Sequence, residues 1–227
     1  MTTLKKAIRD LRRELLHFGE AVETLNWQGI ENPPKFMEIL NATFEAKMPE
    51  TLQEITEQCD PFLPWADEHF EERICGYPLN PPPSHERWLK DTDKSMKDGK
   101  FSHTYPERMY KNLFTLVELF KKDSTTRQGY LPIWFSQDGE MSLQNERVPC
   151  TLGWHWILRE GLLYCYYPMR SCDAVRHFHN DIYFAARLTL WLIKQTGMKA
   201  KPGNLTFHAV SFHCFANDEY GLRKLVK

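Results

Sequence analysis

Apolar positions along this chain follow two different spacings, and the change falls just past its middle. Leu4, Ala7, Ile8, Leu11, Leu15 and Leu16 recur at helical steps, which predicts an amphipathic helix over residues 3–17. The same spacing predicts helices over 64–74 and 106–122. The second is opened by Pro106 and carries Met109, Leu113, Leu116, Val117 and Phe120 on one face. Between the first two helices, a mixed stretch and the Pro33-Pro34 turn lead into the apolar run 36–40. Gly76 to Pro83 reads as a proline-stiffened loop. After Gly129, short apolar runs take over. Residues 130–135 predict a buried strand, 154–158 a second, and 162–167 a third that pairs with the second across Arg159-Glu160-Gly161. Residues 180–194 predict a long apolar helix and 206–215 a last strand. Segregated helices and an antiparallel-leaning sheet predict an α+β fold rather than doubly wound α/β.

Composition narrows the function classes. The 227 residues contain no repeat or low-complexity segment and read as one domain over 1–227. A formal net charge of -1 supplies no long-range field toward nucleic acid or membrane, so direct nucleic-acid binding is not expected. No window reaches the roughly 18 uninterrupted apolar residues of a spanning helix. The amino terminus lacks a signal peptide's apolar core, so a cytoplasmic location is expected. Six cysteines fit neither a CxxC metal pattern nor a disulfide scaffold, and are expected to be reduced, mostly as small buried hydrophobes.

Cys150 is set apart by its neighbours. It stands at the start of one predicted strand, while Arg170, Ser171 and Asp173 stand at the end of the next. A thiolate attacks electron-poor carbon, and a guanidinium-hydroxyl pair holds a phosphate, which together suggest covalent chemistry on a phosphorylated compound. His177 and His179 flank Phe178 without further ligands at metal spacing, so they read as incidental and no metal is expected. Glu68 and Glu72, four apart, share a helix face. Asp181, just ahead of an apolar run, also reads as a helix cap.

The stretches Arg147-Val-Pro-Cys-Thr151, Met169-Arg-Ser-Cys-Asp173 and His179-Asn-Asp-Ile182 resemble the thymidylate synthase family, most specifically over residues 101–215. The resemblance implies that fold, with sheets packed face to face in a homodimer. It makes Cys150 the nucleophile, and Arg170 and Ser171 the ligands of a nucleotide 5′-phosphate, joined by Arg127 from the partner subunit. Phe212-His-Cys-Phe215 looks like the family's ribose-contacting motif once a short insertion is allowed, so His213 would contact the sugar; an ungapped count lands on Ser211 instead. Tyr105 would line the site near Cys150, Trp88 would border the folate, and Asp173 would orient its pterin ring. A catalytic glutamate is implied on the early helix, either Glu68 or Glu72.

One position distinguishes members of that family. Where synthases carry a uracil-reading asparagine, this chain has Asp181, as phage deoxycytidylate hydroxymethylases do. The resemblance therefore implies transfer of a one-carbon unit from 5,10-methylenetetrahydrofolate to carbon 5 of dCMP, in host cytoplasm if the gene is phage-borne, for modified DNA synthesis. Alternatives are a dCMP or dUMP methylase, with Asn180 reading uracil if the register slips by one, a CMP hydroxymethylase, and a non-catalytic nucleotide-binding relative. Three departures from the family pattern stand out: Gln128 replaces a second arginine, Phe215 replaces a tyrosine, and fourteen residues follow His213 where a longer tail is usual.

Overall fold

The computed structural model of the protein describes residues 2–24, 26–27, 30–31, 34–87 and 96–227. Helix α1 (Leu4–Phe18) begins at Thr3, whose hydroxyl accepts from the Lys6 N–H, and it buries the stripe Leu4, Ala7, Ile8, Leu11 and Leu15. Strand β1 (Glu20–Val22) and a small ladder of β2 (Asn26–Trp27) with β3 (Ile30–Glu31) precede the long β4 (Phe36–Lys47). Helices α2 (Leu52–Cys59) and α3 (Trp65–Ile74) follow. A 3-10 turn (Pro83–Arg87) and the ladder of β5 (Met96–Lys97) with β6 (Lys100–Phe101) lead to α4 (Tyr105–Lys122). That helix opens on a reciprocal cap: the Thr104 hydroxyl accepts from the Glu107 N–H and the Glu107 carboxylate from the Thr104 N–H. The remaining elements are β7 (Tyr130–Pro132), α5 (Gln137–Leu143), β8 (Gly153–Arg159), β9 (Leu162–Asp173), α6 (Phe178–Thr196), β10 (Lys201–Phe215) and α7 (Glu219–Leu225).

Six strands form one sheet in the order β1-β4-β10-β9-β8-β7. Its pairs are antiparallel except β9 with β10, which are parallel because α6 crosses between them. The result is an α+β fold. β8 and β9 form the expected hairpin: Glu160 and Gly161, both at positive φ (50° and 74°), make the two-residue turn. Along β9, Leu163, Cys165, Tyr167 and Met169 are buried while Tyr164 and Tyr166 are exposed, so helices cover one face and the other stays open. Tyr130, His155 and Tyr166 lie in register across the open face.

The alternation then skips a residue across neighbouring strands. After Met169 the next buried residue of β9 is Cys172, and after Ala209 the next on β10 is Phe212. In β4, Asn41 takes a left-handed φ of 56° at the same level. A local break of this kind re-aims side chains next to it. It leaves the two successive residues Arg170 and Ser171 both off the core side, beside Cys150.

The expected strand over 130–135 is shorter and less buried. It ends at Pro132, and Tyr130 is exposed. Beyond it, the N–H groups of Ile133 and Trp134 both donate to the Leu152 carbonyl, and the Phe135 N–H donates to Asp138 at 2.7 Å. Arg108 forks onto the same carboxylate with two contacts of 2.6 Å, so the chain turns into α5, which its apolar pattern does not mark.

Candidate active site

The loop entering β8 is fastened to β9 by one arginine. Arg170 donates its backbone N–H to the Cys150 carbonyl (2.9 Å), Nε to the Pro149 carbonyl (2.8 Å) and Nη2 to the Val148 carbonyl (3.1 Å). The same Nη2 lies 3.8 Å from Cys150 Sγ, and Ser171 Oγ donates to that sulfur from 3.6 Å. Cys150 is half-buried. Two hydrogen-bond donors on adjacent residues thus face one reachable thiol.

Beneath the thiol loop lies a polar-aromatic cluster. The buried Thr151 hydroxyl sits between the hydroxyls of Tyr105 and Tyr167, 2.9 Å from each. Burial pushes the Tyr105 phenol up to about 12. The Arg73 guanidinium is sandwiched between the rings of Tyr105 and Phe184, 4.0 Å from each centroid, and its Nε has no partner among the described residues. Asp181, in the first turn of α6, is only 8% exposed. Burial raises its pKa to about 7, against the opposing pull of Arg73 and of the Cys172 thiol 3.9 Å away.

Asp181 does not cap its helix, since His177 occupies that position. Its neighbour Asn180 is committed elsewhere: Oδ1 accepts from the Phe62 N–H (2.8 Å) and Nδ2 donates to the Arg176 carbonyl (3.3 Å). A buried amide used this way ties α6 to the loop ahead of α3.

The two glutamates of α3 part company. Glu68 accepts from Arg87 Nε at 2.5 Å at the rim of an open groove of about 700 Å³, which Glu71, Glu86 and Ser84 also line. Glu72 lines the same groove but turns toward the core, taking Ser84 and the buried His69 as donors. The structure gives neither carboxylate a contact with Cys150 among the described residues.

The other expected residues lie at varied distances from the thiol. His213 pairs in register with Asp173, is half-buried between Phe36 and Phe215, and its Nδ1 has no partner among the described residues. Burial lowers its pKa, while Asp173 and Glu38 act the other way. Ser211, the alternative to His213, donates to Glu38. Asp173 Oδ1 accepts from the N–H groups of Val175 and Arg176, both at 2.9 Å, as a turn-forming aspartate does. Arg127 is exposed on the loop before β7, its carbonyl accepting from His155 Nε2. Trp88 lies outside the described residues. His179 meets Arg12 at 3.2 Å, and no metal-binding group of His, Cys, Asp and Glu occurs among the described residues. His69, Arg73 and Thr151 escaped sequence reasoning. Only the i, i+3 spacing of His69 and Glu72 offered a signal.

The thymidylate synthase family model matches residues 83–227, more than half of the chain. The chain belongs to the thymidylate synthase family. A protein of Methanocaldococcus jannaschii described as "Putative thymidylate synthase" is 24% identical over 198 residues, covering 81% of this chain and 82% of its own. The thermostable thymidylate synthase A of Bacillus subtilis superposes with a TM-score of 0.73 over 99% of this chain and 84% of its own, at 14% identity, which is a likeness of fold. The family uses methylenetetrahydrofolate as its one-carbon donor. In this family member no helix among the described residues is long and apolar enough to cross a membrane.

Proposed function

We propose that this thymidylate synthase family member hydroxymethylates carbon 5 of dCMP, taking the one-carbon unit from 5,10-methylenetetrahydrofolate as a substrate. Asp181 carries the reading: a buried carboxyl whose pKa, raised to about 7, lets it hold or share a proton near neutrality. Its O–H can then donate to cytosine's ring nitrogen while its other oxygen accepts from the exocyclic amine. Cytosine's ring nitrogen is basic enough to share that proton, and uracil's carbonyl is not. Asn180, the residue that would read uracil in a shifted register, is occupied by Phe62 and Arg176.

In this reading Cys150 Sγ adds to carbon 6 of the pyrimidine, and the displaced π pair makes carbon 5 a nucleophile. Arg170 and Ser171 hold the 5′-phosphate beside the sulfur, and His213 meets the sugar. Transfer of the one-carbon unit and loss of the carbon 5 proton leave an exocyclic methylene on the nucleotide. Water captures it, and the thiolate departs with the C–S pair. Phe215 supplies no hydroxyl where the family has a tyrosine, so CMP belongs in the comparison. Incubation with methylenetetrahydrofolate and dCMP, CMP or dUMP is expected to give the hydroxymethyl product from dCMP with tetrahydrofolate released. A methylated product with dihydrofolate would refute the reading.

The open sheet face with Tyr130, Tyr164 and Tyr166 exposed suits a second copy of the chain, and Arg127 would enter the neighbour's phosphate site. The protein is then a homodimer whose sites are shared. Mixing inactive Cys150→Ala subunits with Arg127→Ala subunits, after unfolding and refolding together, is expected to restore about a quarter of native activity through mixed dimers. No recovery, or a monomer by sedimentation at micromolar concentration, would exclude shared sites.

A further inference from the structure

We propose that His69 is the general base that activates the attacking water, with Glu72 as the residue that positions it. The proposal rests on the hydroxymethylase reading and adds the group that handles water. It follows from a relay in α3 and the 3-10 turn. The Glu72 carboxylate faces three donors: the Ser84 N–H (2.5 Å), the Ser84 hydroxyl (2.5 Å) and His69 Nδ1 (3.0 Å). Burial works against its charge, but these bonds hold its pKa below the usual carboxylate range. An ionised carboxylate only accepts, so Nδ1 carries the ring proton and Nε2 keeps the lone pair.

Packing sets where that ring lies. It stacks on Trp65 (5.0 Å, 17° between planes) and meets Phe184 and Tyr105 edge-on at 5.7 and 6.4 Å. The Tyr105 hydroxyl is one hydrogen bond from Thr151, the residue after Cys150. The imidazole therefore lies one aromatic ring behind the thiol loop, against the same Tyr105 and Phe184 rings that sandwich Arg73. Burial and then Arg73 lower its pKa to about 4, so the ring is neutral at pH 7, and the Glu72 carboxylate offsets part of the cost of the proton it takes during the step. The charged and titratable groups around it are Glu72 and Arg73 from α3, Tyr105 from α4 and His177 from the start of α6.

The step balances. The water oxygen bonds to the exocyclic methylene carbon, and His69 Nε2 takes the water proton. The methylene π pair moves to carbon 5 and re-forms the C5–C6 double bond, while Cys150 leaves as a thiolate with the C–S pair. His69 becomes imidazolium, stabilised by Glu72, and returns its proton to solvent.

The test uses the full protein with dCMP tritiated at carbon 5 and methylenetetrahydrofolate. His69→Gln is expected to release tritium in a single turnover within a few-fold of the parent rate, because release precedes water attack. Its hydroxymethyl product should fall about 100-fold with the KM for dCMP unchanged. Glu72→Gln should show the same split at about 10-fold, and it carries the test if His69→Gln does not fold. Product formation at the parent rate in either folded variant, or tritium release falling in step with product, would overturn the assignment. Absence of tritium release from the unsubstituted protein, or a methyl product, would instead count against the hydroxymethylase reading itself.

Discussion

Cys150→Ala is expected to lower turnover of dCMP by roughly 10⁴-fold or more, the scale seen when an enzyme loses its nucleophile. Binding of dCMP should survive within a few-fold, because the proposed phosphate ligands Arg170 and Ser171 and the carboxyl of Asp181 remain. Survival has a structural reason. Arg170 holds its loop through the carbonyls of Val148, Pro149 and Cys150, none of which depends on the sulfur. Equilibrium titration of the variant with dCMP, beside its product assay, separates the two effects. A variant that still turns over would end the covalent mechanism, and one that neither binds nor melts cooperatively would point to a structural thiol.

Asp181→Asn is expected to change both base preference and stability. The amide cannot share a proton with cytosine's ring nitrogen but can serve uracil's N–H and carbonyl. Loss of that shared proton, which activates cytosine toward the thiolate, predicts a drop of roughly 100-fold or more in kcat/KM for dCMP, with a gain for dUMP. Stability should move the other way. The folded carboxyl keeps its proton to about pH 7, whereas its ordinary value is 3.8. Between those values the folded state binds more protons than the unfolded one, so the contribution of Asp181 is full below about pH 4 and is lost as pH rises through 7. The amide has no such dependence. Asp181→Asn should therefore exceed the parent in stability by roughly 4 kcal/mol at pH 8 and by little at pH 4. Urea unfolding at both pH values checks this. Equal stability at pH 8 would mean that the carboxyl is already ionised and solvated.

The long elements were legible because one face of each is apolar over many residues. Helix α1 buries the stripe its spacing marks, and the β8–β9 hairpin turns at Glu160-Gly161 as the residues require. What escaped lay where polar contacts override apolar pattern. Residues 133–143 turn into α5 because Arg108 and Asp138 pair from elements 30 residues apart, which no local spacing records. The strand break beside Asn41, Met169 and Ala209 is likewise a property of adjoining strands. It is what leaves Arg170 and Ser171 near one sulfur, although residues one apart on a regular strand face opposite ways.

Within the candidate site, a family spacing singled out Cys150, Arg170, Ser171 and Asp181; the structure gathers the first three around one sulfur and buries the fourth. His69 and Arg73 were missed because a histidine and an arginine on a mixed helix read as solvated charges. Only the fold shows them enclosed by Trp65, Tyr105 and Phe184. Asp173, which the resemblance places at the pterin, also shapes the chain locally, its Oδ1 accepting from two backbone N–H groups.

The most direct test of the central claim uses 5-fluoro-dCMP with methylenetetrahydrofolate. Fluorine at carbon 5 cannot leave as the proton does, so the reaction should stop with sulfur, pyrimidine and folate joined. Intact-mass measurement followed by peptide mapping is expected to show one nucleotide and one folate per chain, on the peptide carrying Cys150. An unmodified chain, or a label on another cysteine, would contradict the account.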